Sequence, residues 1–251
     1  MTDRPAPAPP LIPEVLPLGL DGLLVRFALS PTPQAMAATQ AMAAQLSQAP
    51  PPGTVEIAPA LVSVLIRHDP REDGGTLAAT LLDQARRIAA GPLTPPRARR
   101  RWTIPAAFGE ADGPHLTAIA AAMGVTPQAA AQQICKADLR VLAIGFAPGQ
   151  PYLGLLPPGW DLPRLPDLTP QVPAGALVVA LRQVVMFGNA SATGWQQVGR
   201  CAFRSFQPDR RPPMPLEPGD AIRFAAVSAG ELAALEAAAD GLGGARLRHL
   251  E

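Results

Sequence analysis

Lysine is almost absent from this chain: Lys136 is the single one among 21 basic residues, the rest being arginine. Basic and acidic side chains nearly balance, at 21 and 20, so the basic face of a nucleic-acid binder is not expected. Cysteine is scarce too. Cys135 and Cys201 form no C-x-x-C pair and cannot build a disulfide framework, which points to a reduced, cytoplasmic protein. The opening MTDRPAPAPP has no apolar core of the kind a secretory signal needs. No run reaches the roughly 18 apolar residues of a membrane helix. The familiar catalytic signatures are missing as well. There is no G-x-x-x-x-G-K-[ST] phosphate loop, no G-x-S-x-G elbow and no H-E-x-x-H. His68, His115 and His249 are scattered, without cysteines at ligand spacing, so no metal site is expected and each histidine reads as a surface or capping residue. Composition leaves room for a Cys-His nucleophile on Cys135 or Cys201.

What the chain has in quantity is proline, 32 residues, and glycine, 22. Its 251 residues allow one large domain or two modest ones, and a core that needs neither disulfide nor metal. Residues 1–14 read as a flexible Pro/Ala-rich tail. Leu16-Pro-Leu-Gly reads as a turn into a short strand at Asp21–Phe27. Helices are expected over Thr32–Leu46 and Gly75–Ala89, with a strand or strand pair at Val55–Arg67. The pattern makes residues 15–96 a small α+β domain, ending at Pro92-x-x-Pro95-Pro96. Residues 97–251 form a second domain. It opens with the basic run Arg97-Ala-Arg-Arg-Arg101, an anion site or a solvated linker, and a short strand at Trp102–Pro105. A helix closed by Gly124 follows, then one capped by Thr126 with Pro127 in its first turn. Beyond Leu139, short β-prone runs recur at 141–146, 176–181, 183–187, 195–199, 201–206 and 221–227, the rhythm of a barrel or sandwich. A last helix is expected over Ala229–Leu242.

The densest glycine and proline clusters are Gly145-Phe-Ala-Pro-Gly-Gln-Pro-Tyr-Leu-Gly154, Leu162-Pro-Arg-Leu-Pro166, Val172-Pro-Ala-Gly-Ala-Leu-Val178, Thr193-Gly-Trp-Gln-Gln-Val-Gly-Arg200 and Leu216-Glu-Pro-Gly-Asp-Ala-Ile-Arg-Phe224. Such loops are either tight barrel turns or shaped walls that bring backbone N–H groups close to a ligand. Tyr152, the only tyrosine, sits among them.

These segments, in this order over roughly residues 14–228, resemble the family of 5-oxoprolinase B subunits. That family is also called allophanate hydrolase subunit 1 and includes a sporulation kinase inhibitor. The resemblance rests on Gly-Phe-x-Pro-Gly at 145–149 with Tyr-Leu-Gly at 152–154, Val-Pro-Ala-Gly at 172–175, Gly-Trp and Gly-Arg within 194–200, and Pro-Gly-Asp with Arg-Phe at 218–224. It implies an α+β N-terminal domain followed by a mainly-β, cyclophilin-like barrel domain with flanking helices. The fold likeness carries no prolyl isomerase activity with it. The implied function is that of one subunit in an ATP-dependent amide- or lactam-hydrolysing complex, inactive alone. Its implied partners are a larger homologous protein, the C subunit of such complexes, and a protein like their A subunit, with ATP, and Mg as its companion, shared with the partner.

The resemblance implies Gln183, Arg200 and Tyr152 as catalytic positions, and Phe146, Gly149, Pro173, Ala174, Gly175 and Trp195 as substrate-binding ones. Arg164 joins them from the loop cluster itself. In this scheme Phe146, Gly149, Tyr152 and Arg164 make one wall and Gln183, Trp195 and Arg200 the opposite one. Backbone donors come from Ala174 and Gly175, and Arg200→Ala is expected to lower turnover without disturbing the fold. The chain departs from the family pattern at several positions. Gln150 replaces a phenylalanine, Cys135 a histidine, Leu139 a tyrosine and Ala176 a serine. Val184 replaces a threonine and Val185 a glycine, so the loop at 181–193 is expected to differ. The departures keep two rivals open: a non-catalytic binding or regulatory protein resembling a histidine-kinase inhibitor, and an enzyme component whose substrate has shifted to another amide or urea derivative.

Overall fold

The computed structural model describes residues 10–71, 73–93, 97–237 and 240–250. Most of the expected N-terminal tail and the Pro95-Pro96 break lie outside them. The chain divides into two compact units, Met1–Arg97 and Ala98–Glu251, each with its own hydrophobic core.

The first unit runs β1 (Glu14–Leu18), β2 (Gly22–Arg26), α1 (Pro33–Gln48), β3 (Thr54–Pro59), β4 (Ser63–His68) and α2 (Gly74–Ala90). Its strands make one antiparallel sheet in the order β1-β2-β4-β3. Alternate residues of the central strands, Leu23 and Val25, Val64 and Ile66, face the core. The helices answer with stripes three or four residues apart: Ala35, Ala38, Met42 and Leu46 from α1, Leu77, Leu81 and Ala85 from α2. Thr32 caps α1, its Oγ1 accepting from Ala35 N at 3.1 Å, ahead of Pro33. The stretch expected to be a turn at Leu16–Leu18 belongs to β1. This is an edge strand, so the N–H that Pro17 lacks is required by no neighbour.

The second unit runs β5 (Arg100–Phe108), α3 (Leu116–Ala122), α4 (Pro127–Lys136), β6 (Leu139–Ile144), β7 (Pro151–Gly154), β8 (Thr169–Val172), β9 (Ala176–Ala180), β10 (Gln183–Met186), β11 (Ser191–Thr193), β12 (Gln196–Cys201), β13 (Ala221–Ala226), α5 (Ala229–Glu236) and β14 (Arg246–His249). Seven strands close into a barrel in the order β12-β9-β10-β7-β6-β13-β5, with β5 returning to β12. Val141, Leu153, Leu177, Val179, Val184, Met186 and Val198 fill its interior. Leu116 and Ile119 of α3 and Ala130 and Ile134 of α4 pack against the same core. Trp160 is fully buried in it, with its indole N–H donating to Gln133 Oε1 at 2.8 Å.

The residues between the inward ones point the other way. Val178 and Val185 join Val172, Ala176 and Phe187 in a second, smaller core, to which the two-stranded β8–β11 ribbon contributes Val172. Both faces of β9 are thereby covered, which is why Ala-Leu-Val-Val-Ala is apolar throughout rather than alternating.

Four sequence expectations need correction. β5 is far longer than Trp102–Pro105. Pro105 falls in the gap between the β14 pairing, which reaches Thr103, and the β12 pairing, which starts at Ala106, so that edge asks for no N–H there. The chain leaves the sheet after Cys201 instead of continuing as a strand to 206, because β14 already occupies the next stretch of the β5 edge. The last helix stops at Glu236. In the basic run, Arg100 is neither an anion site nor solvated linker. Its guanidinium meets Asp220 at 2.7 Å and Glu217 at 2.5 Å and donates to Pro215 O at 2.6 Å, tying β5 to the segment before β13.

Candidate functional site

Register decides which candidate residues can meet. Tyr152 on β7 pairs with Val185 on β10, and Val185 with Val178 on β9, so the three share the outward face. Trp195, just before β12, packs against the same small core and meets Tyr152 edge to face, ring centres 6.2 Å apart at 78°. The guanidinium carbon of Arg164 lies 5.7 Å from the centre of the Trp195 ring. That contact is its only partner among the described residues. Gln183 stands two residues before Val185 on the same face, diagonal to Tyr152, a separation of about 7–8 Å that long side chains span. It is 5% exposed, and its Nε2 donor has no acceptor. A small buried core, the aromatic pair that covers it, one cation without a carboxylate partner and one buried, unsatisfied N–H donor therefore share this side of the barrel.

The backbone holds these groups in place. Leu181 N–H donates to Leu162 O at 2.8 Å, Leu165 N–H to Gly194 O at 2.6 Å, and Gln196 Nε2 to Pro163 O at 3.0 Å. The 162–165 segment carrying Arg164 is thus tied both to the β9–β10 turn and to the start of β12.

The other candidates lie next to the small core that Val172, Ala176 and Phe187 share with Tyr152. Phe146, Gly149, Pro173, Ala174 and Gly175 sit at the end of the barrel where β6, β9 and β10 meet their loops. Phe146 is 80% exposed. Pro173 and Ala174 are exposed too. The Gly175 N–H, expected to face a ligand, donates to Phe187 O at 2.7 Å, which removes it from any wall. Glycine is needed there for space: φ is +79°, and a Cβ would stand 2.0 Å from Cys201 O. Gly149 repeats the case against Ser205 O, at 2.3 Å. Near this end Gln150 and Ser205 are almost fully buried, and neither Gln150 Oε1 nor Ser205 Oγ has a partner.

Arg200 stands further along β12, opposite Ala176, whereas the residue in register with the Tyr152–Val185–Val178 row is Gln197. Its guanidinium is engaged by Asp112, at 2.7 Å, and by Glu236. Sequence reasoning did not find these partners, 88 and 36 residues distant. The same turn is stapled further. Gln197 Nε2 donates to Asp112 O at 2.7 Å, and Gln197 N–H donates to His115 Nδ1 at 2.9 Å. His115 is thus a strut between the α3 turn and β12, and makes no capping bond of its own. His68 is buried rather than on the surface.

Neither thiol is a prepared nucleophile. Burial pushes Cys201 up to about 12, and burial raises the Cys135 thiol as well, so both stay protonated near neutral pH. Among the described residues no group of three His, Cys, Asp or Glu side chains could hold a metal ion, and no helix is long and apolar enough to cross a membrane. Two of the departures from the family pattern are packing changes. Val184 points into the barrel core, so its missing hydroxyl takes nothing from the outward face, and Ala176 lies under the ribbon. At Val185 the backbone is an ordinary strand, and positive φ falls instead at Leu181 and Arg182.

Residues 13–216 match the family described as carboxyltransferase domain, subdomain C and D. The chain is 27% identical to the B subunit of 5-oxoprolinase from Bacillus subtilis (strain 168), over 84% of its own length and 91% of that protein. Among solved structures it is similar to TTHA0988, with 32% identity and a TM-score of 0.68, covering 82% of this chain and 40% of that one. It thus spans about two fifths of that longer chain. Kluyveromyces lactis urea carboxylase shares the fold at 18% identity, with a TM-score of 0.71 over 98% of this chain and 26% of that one.

Proposed function

This chain belongs to the carboxyltransferase domain family, subdomain C and D, and we propose that it is one subunit of an ATP-dependent amide- or lactam-opening complex of the 5-oxoprolinase type. The observation that carries the reading is its alignment along nearly the whole of a protein named as the B subunit of 5-oxoprolinase. The chemistry of the outward face agrees with it. A lactam carbonyl is resonance-stabilised and a poor electrophile, so opening it requires activation of the oxygen, which ATP supplies, followed by attack of water. A protein serving such a reaction has to hold the amide and shield it; it needs no nucleophile of its own, and both cysteines here are protonated. Val178 and Val185 are buried beneath Tyr152 and Trp195, and it is these two half-buried rings that present the apolar surface to exclude water from one side of a small ring. ATP, with Mg as its companion, is in this reading shared between this chain and the partner subunit.

The partners in this reading are the larger homologous C subunit and a protein like the A subunit. The test is reconstitution: the chain is co-expressed with both, and 5-oxoproline-dependent phosphate release is measured. Turnover is expected from the complete complex and none from the chain alone. An assembled complex that leaves 5-oxoproline intact but turns over another amide or urea derivative would move the substrate and keep the reaction class. An assembled complex without turnover on any of these would favour a binding or regulatory protein of the kinase-inhibitor kind. One observation points that way: Arg200, the strongest cationic candidate, is engaged by Asp112 and Glu236.

A further inference from the structure

We propose that Arg164 and Gln183 form a two-point recognition site for a carboxylate-bearing amide, Arg164 taking the carboxylate and the Gln183 side-chain N–H taking the amide carbonyl. The inference deepens the functional reading above and rests on it for the placement of the substrate on this face.

Several arginines of this unit are spoken for: Arg100 by Asp220 and Glu217, Arg200 by Asp112 and Glu236, Arg223 by Asp138, and Arg182 by Leu156 O. Arg164 instead lies over the Trp195 ring and makes no salt bridge among the described residues. A guanidinium resting on an indole is held in orientation while its N–H edge stays free, which is the arrangement that receives a planar carboxylate through two parallel bonds. The second point is Gln183. A buried N–H without an acceptor costs about 1–3 kcal/mol, and this one lies on the face that also bears Tyr152 and Val185. A carbonyl oxygen arriving there would satisfy it. Two donors, one charged and one neutral, beside the Tyr152–Trp195 pair match a molecule with an anionic end and an amide oxygen. They do not match a neutral urea, which lacks the anion.

The test uses the full chain, followed by calorimetry and by the fluorescence of Trp195 read against the Trp195→Phe variant. Two pairs of probes differ only in the acid: 5-oxoproline against 2-pyrrolidone, and N-acetylglycine against N-methylacetamide. In each pair the acid is expected to bind about tenfold or more tightly, the weight of a charge-assisted bond. Arg164→Ala should abolish that preference, and Arg164→Lys should restore only part of it, since an ammonium lacks the fork. Gln183→Leu should weaken acid and neutral compound of a pair by the same factor of about five or more, because the carbonyl is common to both. An acid preference that is absent, or that survives Arg164→Ala, overturns the site, and unequal or absent losses in Gln183→Leu overturn the second point. Arg164-dependent binding of N-acetylglycine without binding of 5-oxoproline would keep the site and reject the 5-oxoproline reading. Phosphate release by the reconstituted complex reports on that reading separately.

Discussion

The side chain of Arg200 shows how a residue type can be legible in the sequence while its partners are not. An arginine after Gly-Trp in a glycine-rich loop suggests an anion-binding cation, and only the fold reveals that Asp112 and Glu236 already occupy it. Asp112 is 11% exposed at its side chain, so removing its partner strands a largely buried carboxylate. We expect Arg200→Ala to destabilise the unit by about 2–4 kcal/mol. A double-mutant cycle with Asp112→Ala should return a coupling of about 1–3 kcal/mol, read from urea midpoints. A variant with unchanged stability and reduced turnover would return Arg200 to the site. Tyr152 and Trp195 were legible because they stand in glycine-rich segments matching the family pattern, and Gln183 because the resemblance carried it. Asp112 was not, since nothing in Glu110-Ala-Asp-Gly-Pro distinguishes a buried partner from a surface turn.

At the scale of elements, the departure expected to reshape the 181–193 loop has a specific form. β9 and β10 are joined by a two-residue hairpin turn, with Leu181 at φ +50° and Arg182 at φ +64°. Two positive φ values in succession match the right-handed twist of the strands, and the usual choice is Asn-Gly. Here two side-chain-bearing residues take the strain, at about 1–2 kcal/mol each. Arg182 is compensated, its Nε donating to Leu156 O at 2.9 Å, whereas Leu181 is exposed and makes no such bond. Leu181→Gly should therefore raise stability by about 1 kcal/mol in thermal or urea unfolding. A loss instead would show that Leu181 packs in a way its exposure hides. Helices were the most legible elements: Thr32 and Thr126 mark the starts of α1 and α4 as capping chemistry predicts. Strand ends were the least legible. Where β5 continues and β12 stops depends on which neighbour occupies an edge, a fact about pairing rather than propensity.

At the scale of the whole molecule, each compact unit has its own core, one built around Val25, Met42 and Leu81, the other around Ile104, Leu153 and Val198. We infer that residues 15–96 and 97–251 are separate folding domains. Each piece, expressed alone, is expected to unfold in a single cooperative transition, monitored by circular dichroism with urea. A fragment that shows no transition would mean that its core is completed by the other unit.

The sequence by itself determined the local matters. Hydrophobic period, cap residues and turn residues act within a few positions, so the helices, the succession of short strands and the family pattern from Leu139 onward were all readable. Only the tertiary structure decided what depends on distant residues meeting. The strand order β12-β9-β10-β7 put Tyr152, Gln183 and Trp195 on one side of the barrel. Closure of β5 on β12 carried Arg200 around to Asp112, and the ties of the 162–165 segment left Arg164 on Trp195. The reason is geometric: alternation along a strand says that two faces exist, but which face meets a core and which meets a ligand is decided by the strands on either side.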